Sequence, residues 1–222
     1  MIPAFSQISL VLKTIKFVIM TKFSGVIKYG FYIFHGNFRE FDQTINNYIE
    51  ELYGQGINTF DLRNSDYQIN KFLELKKEIS RLLHNYLASW YSIKEHTYAA
   101  ENSLDNQSLI EEIKKKRMEI FGDNPENTFT QELRNYIQHK DLPLIESQSS
   151  INFSLGEQDF DVNHSLHLDT NKLLDYKKWT QPSKQYLKDH PNQVPIQETI
   201  QKNFTDVKNF YDWLRPQITD IE

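Results

Sequence analysis

One short run holds residues whose types and spacing could do chemistry: Glu132-Leu133-Arg134-Asn135-Tyr136-Ile137-Gln138-His139. RNA can be cleaved by its own 2′-hydroxyl attacking the adjacent phosphate. That reaction needs a group titrating near neutrality and a cation on the developing charge. Histidine supplies the first. Arginine supplies the second, with a planar fork that fits phosphate oxygens. Phe129, Leu133, Tyr136 and Ile137 predict a helix around the run, capped at its start by Thr128 or Thr130. Pro143 stops it, because the residue before a proline avoids helical backbone. His139 then falls in the last turn, where free carbonyls favour a protonated ring. Residues five apart on a helix differ by ~500°, or ~140° around the axis. Arg134 and His139 therefore do not share a face squarely, whereas Asn135 and His139, four apart, do. Either Arg134 curls back or a second copy supplies one of the two groups. A plain structural role is the rival: Arg134 paired with Glu132 or a distant acid, with Asn135 and His139 pinning the next loop.

An Arg followed by a polar residue, with His after four intervening residues, resembles the R-x4-6-H signature of the HEPN (higher eukaryotes and prokaryotes nucleotide-binding) superfamily. The resemblance covers residues 38–141, under half of the chain. It implies a small bundle of antiparallel helices with the motif near a helix end. It also implies a metal-independent RNase, or an RNA- or nucleotide-binding protein, that dimerises so that two motifs face each other across a cleft. By that resemblance Arg134 binds the scissile phosphate, His139 transfers protons, and Asn135 is the polar residue after the Arg; no cofactor is called for. Some toxin-type members carry Tyr two positions after the His, where this chain has Asp141. A wider set of segments resembles a group of bacterial proteins of unassigned activity. These are Arg81-Leu82-Leu83-His84-Asn85-Tyr86, Leu133-Arg134-Asn135-Tyr136 and Phe210-Tyr211-Asp212-Trp213-Leu214.

Other polar residues give weaker patterns. His84 and His96, twelve apart on one predicted helix, are too distant for a shared metal. His96 could line a cleft with His139 if their helices run antiparallel. His164 and His167 sit at odd spacing on a predicted strand and point to opposite faces, which argues against joint chelation. Lys114-Lys115-Lys116-Arg117 is the densest basic run, yet four consecutive helical residues span most of the circumference. It reads as a solvated face before it reads as a phosphate patch. Trp90, Trp179 and Trp213 fall in apolar stripes and read as core anchors. No phosphate-binding glycine loop and no Gly-x-Ser-x-Gly elbow is present, which disfavours kinases, dehydrogenases and serine hydrolases.

The elements that must position these residues are mainly helical. Phe38, Phe41, Ile45, Tyr48, Ile49 and Leu52 predict an amphipathic helix, capped by Asn37 and ending near Gly54 and Gly56. The stretch from Asn64 to Ala100 has no Gly or Pro. Ile69, Phe72, Leu73, Ile79, Leu82, Leu83, Tyr86, Leu87, Trp90 and Ile93 trace one stripe along it, a helix of over ~50 Å. Leu109, Ile110, Ile113, Ile120 and Phe121 form a further helix stopped by Gly122. Ile27, Tyr29, Phe31 and Ile33 share one parity and suggest a strand within 23–34. Residues 151–155 and 160–168 alternate on either side of a polar turn, predicting a β-hairpin. Asp169 or Thr170 caps a helix running through Leu173, Leu174, Tyr176 and Trp179, which Pro182 can restart. Pro195 opens a closing helix through Ile200, Phe204, Val207 and Leu214.

Composition agrees with that layout. The chain has 222 residues with only seven Gly and seven Pro, too few breakers for a sandwich or small barrel. The expectation is a mainly α protein: an antiparallel helical bundle with a small β-hairpin and two C-terminal helices. Its three parts would be an N-terminal extension with a strand (1–36), the bundle (37–143), and the hairpin with two helices packed on the bundle (144–222). There is no Cys, which excludes disulfides, thiol nucleophiles and thiolate metal sites and suits a reducing, cytoplasmic location. The net charge of −5 weighs against nonspecific nucleic-acid binding without excluding a local site. Lys13 and Lys16 interrupt the apolar start of the chain, so no run reaches the ~18 residues a membrane span needs. That start is compatible with a docking helix, an extension upstream of a natural start at Met20, or a signal or surface anchor. The competing function is a non-enzymatic helical module that forms a homodimer or docks a protein partner.

Overall fold

Seven residues set four and three apart, Ile27, Phe31, Phe34, Phe38, Phe41, Ile45 and Tyr48, form one continuous seam on the first helix, α1 (Ala4–Tyr53). The computed structural model describes residues 4–53, 65–102, 104–143, 145–153 and 160–219. The remaining elements are α2 (Ser65–Glu101), α3 (Gln107–Arg117), a single π-helical segment (Met118–Gly122) and α4 (Pro125–His139). They are followed by β1 (Ile145–Phe153), β2 (Phe160–Asp169), α5 (Thr170–Leu174), α6 (Gln181–Asp189), β3 (Gln193–Pro195) and α7 (Ile196–Thr219). The fold is mainly α with one small antiparallel sheet, ordered β1-β2-β3.

The strand expected within 23–34 is helix instead. Its apparent alternation rested on Tyr29 and Ile33, which point to solvent, while Ile27 and Phe34 are buried in the seam. Residues 36 and 37 lie inside the same helix, so Asn37 caps nothing; its side-chain amide donates to the Asn85 carbonyl at 3.3 Å. At Gly30, α1 comes close to α2: a Cβ there would sit 3.3 Å from the Ile93 side chain. The two helices run antiparallel, pinned by the Arg81–Glu40 and Lys71–Glu51 ion pairs. Ile69 and Leu73 were expected on the buried stripe of α2 but are exposed; among the described residues of α2, Leu75 is the first that is buried.

Helix α7 lies across this pair and closes the core. Phe204 stacks on Phe38 with centroids 3.8 Å apart, and Phe34 fills the space between Phe204 and Tyr86. A buried polar chain ties three helices together. The Tyr86 hydroxyl donates to Asn203 at 2.6 Å, Asn203 donates to Asn127 at 2.8 Å, and Asn127 donates to Asp206 at 2.7 Å. Burial, then the charge of Asp206, pushes the Tyr86 phenol up, so it stays a donor.

Helix α4 begins earlier than the threonines suggest. Asn124 is its cap, accepting from the amides of Glu126 and Asn127, with Pro125 in the first turn. Thr128 and Thr130 instead bond back to carbonyls of the preceding turn. The hairpin forms with Ile145 opposite Leu168, and β3 adds an unforeseen third strand through Leu168 and Val194. The helix expected through Trp179 stops at Leu174. The Trp179 indole folds back and donates to the Leu173 carbonyl at 2.7 Å, satisfying a helix-end acceptor from outside the helix.

Candidate functional site

Helix α4 packs antiparallel to α2, and this alignment places every residue of the motif. Midway along α4, Lys94 donates to Gln131 at 2.7 Å. One turn later the Arg134 guanidinium lies over the Tyr91 ring, 3.9 Å from its centroid. Beyond it, Tyr136 and Lys140 share a hollow with Lys76 and Ser80. His139 is exposed at the C-terminal end of α4, and Lys140, the next residue, caps that end by donating to the Tyr136 carbonyl.

Arg134 makes no ion pair with Glu132. That carboxylate is taken by the backbone amide of Thr180, at 2.9 Å. The one polar contact of Arg134 among the described residues is a long one, 3.4 Å from Nη1 to Asn135 Oδ1. Its Nε is buried without a hydrogen-bond partner. Arg81 and Arg117 differ: the first meets Glu40 and Glu78, the second meets Glu101. Arg134 is thus held by an aromatic face rather than by an acid. Its Nη groups keep donor capacity that neither the ring nor Asn135 exhausts.

Arg134 and His139 sit on one unbroken α-helix, so the ~140° between them is retained. Arg134 reaches across to α2, His139 does not, and one chain does not converge them. His96 is further away still. The antiparallel alignment puts it on the far side of Lys94 from His139, and it lies against α1 beside Gly30. His84 is exposed on α2. The side chain of His164 lies outside the described residues. His167 is held by Ser165, 2.6 Å from Oγ to Nε2, and burial pushes its pKa down against the opposing pull of Glu198 and Glu146.

The basic run on α3 disperses as its helical geometry requires. Lys116 covers Trp213, Lys115 pairs with Glu119, and Arg117 pairs with the buried Glu101 beneath Tyr98. Lys114 and Arg117 join Lys94 around a second hollow of about 310 Å³. Burial lowers the Lys94 pKa, partly offset by Glu95 and reinforced by Arg117.

Tyr91, Lys94 and Tyr98 occupy a ~60° sector of α2. Each of the two rings carries a cation: Arg134 over Tyr91, Arg117 and Lys94 over Tyr98. These platforms escaped the sequence reading, although the three, four spacing of 91, 94 and 98 was the signal that could have found them. Among the described residues no three His, Asp or Glu side chains gather as a metal site. No helix among them is long and apolar enough to cross a membrane. Comparison with protein-family models, with curated proteins and with solved structures gave no match for this chain.

Proposed function

We propose that this is a HEPN-like protein that binds RNA phosphate through Arg134, with Lys94 alongside. The observation that carries this reading is that the Arg134 guanidinium meets no carboxylate among the described residues, yet is fixed in place on Tyr91. A cation held rigid and uncompensated is suited to an anion that arrives from outside. Metal-independent cleavage, in this reading, belongs to a homodimer in which Arg134 of one copy and His139 of the other meet at one phosphate. The separation of the two groups on α4 is then a property of the half-site.

The test is binding and cleavage of single-stranded RNA in EDTA. Arg134→Lys keeps the charge but loses the fork, and should weaken binding about tenfold. Unchanged binding in that variant sinks the reading.

A second reading rests on a separate observation. Tyr29 and Tyr32, at 71% and 77% exposure, and Ile33 at 56% stand on the outer side of α1. A surface of that kind suits a helical module that pairs with a second copy or with another protein.

A further inference from the structure

A different hollow, of about 440 Å³, opens where the end of α4 meets α2, α5 and the start of β1. Three lysines reach it from separate elements: Lys76 from α2, Lys140 from the cap of α4 and Lys172 from α5. None of the three forms an ion pair with a described residue; Lys76 rests over the Phe72 ring, 5.0 Å from its centroid. Tyr136 lines the same hollow, and its ring is locked. Trp179 stacks against it at 5.8 Å and 11°, Tyr176 meets it edge-on at 5.5 Å, and Trp179 is itself anchored on Leu173. The Tyr136 hydroxyl has no hydrogen-bond partner among the described residues. Burial, together with the carboxylates of Asp141, Asp175 and Asp169, pushes its pKa up, so it remains a proton donor at any physiological pH. Buried Pro143 and Ile145 supply an apolar wall.

We propose that this hollow binds a small phosphate monoester. Three ammonium groups and one fixed phenol are the donors that a phosphate dianion requires, and the apolar wall accommodates its carbon skeleton. Asp141 and Asp175 also line the hollow; they accept hydroxyl or amine protons and repel a second anionic group on the ligand. The cavity volume fits a compact molecule, and neither Arg134 nor His139 takes part. The site therefore stands apart from RNA binding at Arg134.

Calorimetric titration of the full chain at low ionic strength, with inorganic phosphate and with phenyl phosphate, tests it. One saturable site is expected, tighter for phenyl phosphate because its ring gains the Pro143 and Ile145 wall. Tyr136→Phe and Lys140→Ala should each weaken binding roughly tenfold. Lys188→Ala, on α6, should leave it unchanged. Because Tyr136 is packed, the double variant Lys140→Ala with Lys172→Ala gives the same test at exposed positions and should abolish saturation. Arg134→Lys should lose RNA affinity while keeping phosphate binding, which separates this site from the RNA reading. The proposal is overturned by no saturation up to ~10 mM of either probe. It is equally overturned by phosphate affinity that survives the double lysine variant, or that vanishes in Arg134→Lys alone.

Discussion

The Arg134 guanidinium lies over the Tyr91 ring at 3.9 Å and meets no carboxylate among the described residues. Tyr91 is therefore the group that positions Arg134. Tyr91→Phe keeps the ring face and should leave RNA affinity within about twofold, whereas Tyr91→Ala frees the arginine. A cation–π contact is worth ~0.5–2 kcal/mol, so Tyr91→Ala should cost about threefold to thirtyfold in affinity. Fluorescence anisotropy with a labelled single strand reads both variants. Equal affinity in the two would show that the ring does not hold the guanidinium for binding.

The polar chain through Tyr86, Asn203, Asn127 and Asp206 predicts a stability effect without any functional assay. Asn203→Ala leaves the Asn127 carbonyl oxygen buried without its partner and the Tyr86 hydroxyl with only a long contact, 3.5 Å, to the Ile200 carbonyl. Stranded groups of this kind cost roughly 3 kcal/mol in total. For a domain of this size that lowers the melting temperature by about 6–12 °C, measured by calorimetry. A shift under about 2 °C would mean that the chain is not closed in solution.

That chain also marks where sequence reasoning stops. Asn127 and Asn203 are 76 residues apart, and nothing in the local pattern of either pairs them. Helix α2 was legible because its 37 residues contain no Gly or Pro, and Asp169 was legible because caps are local. The middle of α1, residues 23–34, was misread for a physical reason. Over four alternating positions a period of two and a period of 3.6 cannot be told apart, and exposed Tyr29 and Ile33 supplied the false parity. Extending the window to Tyr48 restores the four, three spacing. At the site, the helix end and the angular offset of Arg134 and His139 followed from the sequence. The spacing of Tyr91, Lys94 and Tyr98 marks a shared face of α2, but the pairing of Tyr91 with Arg134 depends on the antiparallel alignment of α2 and α4.

His167 sets an acid limb on stability. Burial lowers its pKa in the fold, against the opposing carboxylates of Glu198 and Glu146, so the unfolded chain binds its proton more readily. A depressed pKa contributes stability that is complete above the unfolded value of about 6.5 and is lost as pH falls toward the folded value. Melting temperature should therefore decline from pH 7 toward pH 5, and His167→Gln should flatten that decline. Glu78, held down by its hydrogen bond to Arg81, acts in a separate window below pH 4.5. An acid limb between pH 7 and 5 that is unaltered in His167→Gln would remove His167 as its source.

Composite catalysis makes the sharpest demand, because it links the motif to the oligomeric state. If Arg134 of one copy and His139 of another serve one phosphate, Arg134→Ala and His139→Ala should each abolish RNA cleavage in EDTA. His139 is exposed, so His139→Ala should move the melting temperature little, since surface changes stay within ~0.5 kcal/mol. An equal mixture of the two variants, exchanged through dilution, forms heterodimers in half of the pairs. Each heterodimer carries one intact site and one doubly altered site. About a quarter of the wild-type rate should return. The wild-type chain should scatter light as a dimer at micromolar concentration, and Tyr29→Glu with Tyr32→Glu, on the exposed side of α1, tests whether that surface is the contact. A dimer with no recovery on mixing would place both groups in one copy, against the ~140° offset. A monomer that still cleaves RNA would exclude the composite site altogether.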